Sequence, residues 1–208
     1  MPQSLQERAV DVHLRITLYK NVLYLPAIIS AWLSDKNKTR KIMPSEVAAQ
    51  STMEKAEKLV FEWNFSKTEL DNGLTAYVKP VFTRNGNLNS LIFLFPFGEP
   101  SFDAVMMEIV AYLPLAVPAE KRQVVAEFVA RMALSTVCFT QMDMESGIVN
   151  VKQRVFLQGN LFTRDLMARI GDQVYAEADV LLPVLNRMVY TGLRPEEAKA
   201  EVDTNLGY

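Results

Sequence analysis

Cysteine, histidine and clustered glycine are nearly absent from this 208-residue chain. The single cysteine, Cys138, excludes an intramolecular disulfide and a cysteine-based zinc site. It lies between Val137 and Phe139 with no cation beside it, so it reads as a small buried hydrophobe rather than a reactive thiol. The single histidine, His13, sits in Asp11-Val12-His13-Leu14 with no other histidine to help it ligate a metal. No two of the eight glycines stand within ten residues of each other. A P-loop or dinucleotide fingerprint needs clustered glycines to let backbone N–H groups reach a phosphate, so neither is present. No cofactor is expected. Net charge is also scarce, at −2, which argues against a nucleic-acid binder working by phosphate neutralisation.

Long apolar runs are missing too. The longest, residues 22–33 (Val-Leu-Tyr-Leu-Pro-Ala-Ile-Ile-Ser-Ala-Trp-Leu), has 12 residues and contains Pro26. A membrane-spanning helix needs about 20, so no transmembrane segment is expected. A signal peptide would not place its apolar core this far from Met1, behind Glu7 and Asp11. A cytoplasmic location is the expectation. The run is expected to pack as a helix or strand, burying Leu23, Leu25, Ile28, Ile29 and Trp32. Lys36-Asn37-Lys38-Thr39-Arg40-Lys41 follows as a solvated linker. Residues 1–60 carry nine basic and six acidic side chains, the remainder 13 and 18. This mild asymmetry separates an N-terminal arm, 1–50, docked on the body or on a second subunit, from a main domain, 51–208.

Half the residues are apolar and 22% are charged, a composition that builds a core. Ser51 and Thr52 precede Met53–Phe61, where Glu54, Glu57 and Lys58 suit a short helix. Asp71-Asn72-Gly73, Asn85-Gly86 and Glu145-Ser146-Gly147 each put glycine where a hairpin turn needs positive φ. Their flanks, 65–70, 74–83, 88–97, 139–144 and 148–157, are rich in β-branched and aromatic residues, and 104–113 reads as a further strand. Along 148–157 the apolar set Val149, Val151, Val155 and Leu157 alternates with Asn150, Lys152 and Arg154, so one sheet face is expected to be covered and the other partly wet. Pro118 suits the first position of a helix running to about Ser135. Leu166, Ile170, Val174, Ala178, Leu181, Leu185 and Met188 form a helical stripe, with Pro183 breaking or kinking it, and Pro195 opens a last short helix. The expectation is α+β: an antiparallel sheet with helices packed mainly on one face, in the order α-β-β-β-β-α-β-β-α.

Residues 108–201 carry a recurring constellation. Tyr112-Leu113-Pro114 and Val117-Pro118 precede Lys121-Arg122 and Glu127-Phe128-Val129-Ala130-Arg131; Phe139, Asp143, Gly147 and Gly159 follow. Then come Asp179, Leu182-Pro183, Val189-Tyr190-Thr191-Gly192, Pro195 and Glu197-Ala198. In order and spacing this resembles the YbjN family, whose members are described as bacterial sensory-transduction regulators. The resemblance covers about 150 residues and not the arm. The chain departs from the family pattern at Met132-Ala133 and at Val137-Cys138-Phe139-Thr140. The resemblance implies a type III secretion chaperone-like fold and brings no catalytic motif with it.

The leading functional expectation is a non-enzymatic regulator or chaperone-like adaptor, a homodimer acting through a protein partner. Its contact residues are Leu23, Leu25, Ile28, Ile29, Trp32, Phe93, Phe95 and Phe97. Ten methionines add adaptable apolar surface. Two alternatives are a small hydrolytic enzyme using carboxylates among Glu108, Asp143, Glu145 and Asp165, and a membrane-surface protein acting through residues 14–41. The enzyme needs two of those acids to converge in a polar cleft.

Overall fold

The computed structural model describes residues 51–70, 73–97, 103–133, 135–158 and 163–207. Helix α1 spans Thr52–Glu62. Ser51 caps it through a reciprocal box: the Glu54 N–H donates to Ser51 Oγ at 3.2 Å, and the Ser51 N–H donates to Glu54 Oε2 at 3.1 Å. The helix ends at Trp63, and Asn64 turns the chain at φ 61°, a conformation its short polar side chain tolerates. Four strands follow: β1 Ser66–Glu69, β2 Thr75–Phe82, β3 Asn87–Phe97 and β4 Ala104–Ala116. A 3₁₀ turn, Ala119–Lys121, leads into α2, Arg122–Met132. Strands β5, Phe139–Met142, and β6, Ile148–Gln158, precede α3, Arg164–Thr191, and α4, Pro195–Leu206.

The six strands form one antiparallel sheet in the order β1-β2-β3-β4-β6-β5. The fold is α+β, and the described helices pack against one face of the sheet. That face carries the odd residues of β4 and β6 and the even residues of β3. Leu88, Ile92, Leu94, Met107, Ile109, Ala111, Val149 and Val151 meet Ala56 and Val60 of α1 and Val125, Phe128 and Met132 of α2 in one core. All but the first member of the expected α3 stripe is buried, and Leu166 packs at its margin. Each fully buried Leu, Ile or Phe contributes roughly 1.5–3 kcal/mol, so this double layer of helix and strand side chains dominates the stability.

Several local readings are corrected by tertiary structure. Helix α3 is not broken at Pro183; it runs 28 residues through it. Pro183 offers no N–H to the carbonyl of Asp179, four residues back. The Asn85 side-chain amide donates to that oxygen at 3.0 Å, while the Asn85 backbone N–H donates to Asp179 Oδ1 at 2.7 Å. The β2–β3 turn is thereby tied to α3. Gly86 in that turn does not have positive φ; a Cβ there would lie 2.5 Å from Leu182 Cδ2, so close approach to α3 explains it. Pro118 sits outside α2 and caps the 3₁₀ turn, with the α-helix proper starting at Arg122 and ending at Met132. Pro114 falls where the β4–β6 register shifts between Tyr112 and Ala116, a bulge that tolerates a residue without an N–H.

Gly147 does need its glycine twice over. Its φ is 75°, and a Cβ would stand 2.1 Å from the Val117 carbonyl oxygen. The Val117 N–H donates to Gly147 O at 2.8 Å. Arg122 completes the junction by donating to the carbonyls of Val117, Met144 and Glu145 at 3.1, 3.0 and 2.8 Å. Gly73 and Gly192 also take positive φ, at 76° and 74°, in the β1–β2 turn and at the end of α3.

Candidate functional site

The other face of the sheet has no described helix on it. Strand alternation places there Ala76 and Val78 of β2, Leu91, Phe93 and Phe95 of β3, and Met106, Glu108, Val110 and Tyr112 of β4. Strand β6 adds Asn150, Lys152, Arg154 and Phe156. Ala76, Leu91, Phe93, Val110 and Tyr112 form a second apolar cluster, distinct from the helix-side core, with Leu70, Val78, Phe95 and Ile148 at its margin. The Phe93 and Phe95 rings stack at 6.1 Å. Cross-strand register builds three rows: Leu91–Val110–Lys152, Phe93–Glu108–Arg154 and Phe95–Met106–Phe156.

A charge cluster sits in the middle of these rows. Glu108 pairs with Arg154 through the guanidinium Nε, and Lys152 Nζ lies 4.0 Å from the same carboxylate oxygen, Oε2. One acid between two cations leaves the cluster one positive charge in excess. Burial holds the Lys152 ammonium below the usual lysine range; the neighbouring guanidinium adds to this, and the Glu108 carboxylate opposes it. Burial, assisted by the Glu108 charge, pushes the Tyr112 phenol up. Asn150 Oδ1 is buried with no hydrogen-bond partner. The partly wet face expected from this alternation is wet at Arg154 and Phe156, which reach solvent, whereas Asn150 and Lys152 are buried, 5% and 9% exposed.

A second buried ionisable group lies on the helix side. Glu177 of α3 is 2% exposed, accepts the Cys138 N–H at 3.2 Å through Oε1, and leaves Oε2 without a partner. Burial raises its carboxyl above the usual range; hydrogen bonds from Cys138 and from the Val137 backbone oppose this. Burial and the Glu177 charge together push the Cys138 thiol up, so a thiolate nucleophile is disfavoured there.

The four acids singled out by sequence fall in three places, with Asp143 and Glu145 together in the β5–β6 turn. Glu108 lies mid-strand on the helix-free face, and Asp165 is exposed in the first turn of α3, which packs on the opposite face. Asp143 is engaged in the β5–β6 turn, accepting the Glu145 N–H and the Ser146 hydroxyl, each at 2.9 Å. Among the described residues no three of His, Cys, Asp and Glu are grouped to hold a metal ion, and no helix is long and apolar enough to cross a membrane.

Of the expected contact residues, Phe93 and Phe95 meet on the helix-free face. Phe97 ends β3, but its side chain lies outside the described residues, as do Leu23, Leu25, Ile28, Ile29, Trp32 and His13. Sequence reasoning missed the Glu108–Lys152–Arg154 cluster as a unit. Its one signal is Glu108 itself, an acid in the apolar strand Met107-Glu108-Ile109.

Fold and face together define the class: an α+β protein whose antiparallel sheet is clad by helices on one side and carries a second apolar, charge-centred cluster on the other. Comparison with models of known families and with curated proteins finds no match to this chain.

Proposed function

We propose that this chain is a non-enzymatic interaction module, a cytoplasmic regulator or chaperone-like adaptor of the kind the YbjN resemblance implies, and that it works as a homodimer. Its protein partner is engaged through the helix-free face. The observation that carries the reading is the second apolar cluster, Leu91–Phe93–Val110–Tyr112 with its charged centre, on a sheet whose core is already complete on the other side. A domain stabilised by one helix layer has no need of a second apolar cluster for folding alone, and the half-buried Phe95 and the exposed Phe156 beside it extend that cluster to solvent.

The residues that carry the resemblance support a shared scaffold rather than a shared reaction. Arg122 clamps three carbonyls, Asp143 and Gly147 shape the β5–β6 turn, Asp179 receives Asn85, and Gly192 caps α3. Each does a folding task, which supports reading the resemblance as one of scaffold.

The test is an affinity capture with the full chain from an extract of its source, comparing wild type with Phe95→Glu on the helix-free face and Arg131→Ala on the helix side. Arg131 makes exposed pairs with Glu127 and Glu196, so its loss is cheap. The expected outcome is a defined partner retained by Arg131→Ala and lost with Phe95→Glu. A partner held equally by both variants would exclude this face, and light scattering at the mass of one chain would exclude the homodimer.

A further inference from the structure

Asn85 and Gly86 lie in the β2–β3 turn, and Asn85 is exposed. An asparagine followed by glycine is the dipeptide most prone to attack its own side chain, because no side chain shields the attacking nitrogen. The reaction needs only water. The Gly86 nitrogen gives up its proton and bonds to Asn85 Cγ. The bond from Cγ to Nδ2 breaks, and Nδ2 takes up a proton and leaves as ammonia. The cyclic imide that remains is opened by water at either carbonyl–nitrogen bond, leaving aspartate or isoaspartate at position 85.

The fold opposes this ring closure. The Asn85 N–H donates to Asp179 Oδ1 at 2.7 Å, and Nδ2, the leaving nitrogen, donates to the Asp179 carbonyl at 3.0 Å. Backbone and side chain of Asn85 are thus pinned to one residue of α3. Beyond the reacting bond, Gly86 O accepts the Thr83 N–H at 2.9 Å and the Thr83 hydroxyl at 2.7 Å. Gly86 is also pressed on α3, since a Cβ there would lie 2.5 Å from Leu182 Cδ2. Ring closure turns the Asn85 side chain back onto its own backbone, which breaks the bond from Nδ2 to Asp179. The glycine that lets the turn approach α3 therefore also creates a labile pair, and the contact that it permits keeps that pair inert.

We propose that Asn85-Gly86 is a self-modification site kept dormant by Asp179, and that its conversion to aspartate or isoaspartate unlatches the β2–β3 turn from α3. The product does not fit the seat that asparagine leaves. A carboxylate only accepts hydrogen bonds, so it offers nothing to the Asp179 carbonyl, which Pro183 already leaves without a backbone donor. It also sets a second negative charge beside the Asp179 carboxylate. Isoaspartate adds a methylene to the backbone at a turn with no space for another carbon against Leu182. The release is one-way, so it couples the chemical age of the chain to the hold of the turn on α3. It needs no partner and stands apart from the interaction reading.

The experiment incubates the purified full chain at neutral pH beside a synthetic peptide of residues 80–90. Peptide mapping by mass spectrometry follows the mass gained when the amide at position 85 becomes an acid. Wild type should convert at least about tenfold more slowly than the peptide, and Asp179→Ala about tenfold faster than wild type. Asp179→Asn keeps an acceptor for the Asn85 N–H and should stay slow. Ile92→Ala lowers global stability without touching the latch and should stay slow too, which separates local release from unfolding. Asn85→Asp stands in for the product, and amide hydrogens of residues 83–88 should exchange about tenfold faster in it than in wild type, with α1 unchanged. Wild type converting as fast as the peptide, or equal rates in Asp179→Ala and Ile92→Ala, would overturn the dormancy. Wild-type exchange over 83–88 in Asn85→Asp would overturn the unlatching.

Discussion

Glu177 shows how a single side chain on the buried face of a long helix shapes the pH response of the protein. Its carboxyl is enclosed, accepts one backbone N–H from Cys138, and keeps one oxygen without a partner. Burial outweighs the hydrogen bonds, so its folded-state value lies above that of the unfolded chain. The folded state then binds more protons than the unfolded state between those two values. The contribution is most favourable below the unfolded value of 4.5 and is lost as pH rises through the raised folded value. Glu177→Gln keeps the shape and the acceptor for Cys138 while removing the charge. The variant should match wild type near pH 4 and be the more stable at pH 7, where wild type must hold a desolvated carboxylate that glutamine lacks. Urea denaturation across pH 4–8 measures this; a wild-type advantage at pH 7 would mean the ionised carboxylate is stabilising. Neither the burial nor the orphaned oxygen was legible in the sequence, because Glu177 sits in an otherwise ordinary helical pattern and its partner comes from the α2–β5 connection 39 positions away.

At the scale of elements, sequence was most informative where the cause is local. The six strands fall where β-branched and aromatic runs are punctuated by turn residues, and α1 starts at its capping box. It was least informative where one element completes another. Pro183 should cost about 3 kcal/mol inside a helix, yet α3 continues, because Asn85 of the β2–β3 turn serves the carbonyl that proline leaves unpaired. That donor is 94 positions away and invisible to periodicity. The two residues should therefore be coupled. Asn85→Ala should destabilise wild type by about 1–2 kcal/mol. In a Pro183→Ala background, where the alanine N–H serves Asp179 O, the same change should cost less, with a coupling energy of at least about 0.5 kcal/mol in a double-mutant cycle. Strict additivity would show that the Asn85 amide does not substitute for the missing donor.

For the whole molecule, the central question is whether the sheet has one buried face or two. Alternation along β6 predicts a partly wet second face, since Asn150, Lys152 and Arg154 are polar. That inference treats polarity as a proxy for exposure. It holds at Arg154, which is exposed, and fails at Asn150 and Lys152, which are buried, Lys152 beside the Glu108 carboxylate. Phe93 was legible as a contact residue, but its depth was not. The two architectures differ in what truncation does. On an open face Phe93→Ala would remove a half-solvated ring and cost under about 1 kcal/mol, as surface changes do. On a covered face it would leave a cavity between layers and cost about 3–5 kcal/mol, close to the 2–5 kcal/mol expected for Ile92→Ala on the helix side. Both residues neighbour each other on β3 and share its backbone environment, so Ile92→Ala controls for damage to the strand itself. Urea midpoints of the two full-length variants should fall together. A Phe93→Ala variant that unfolds with wild type while Ile92→Ala collapses would leave the sheet with a single core and the second cluster as a surface open to solvent.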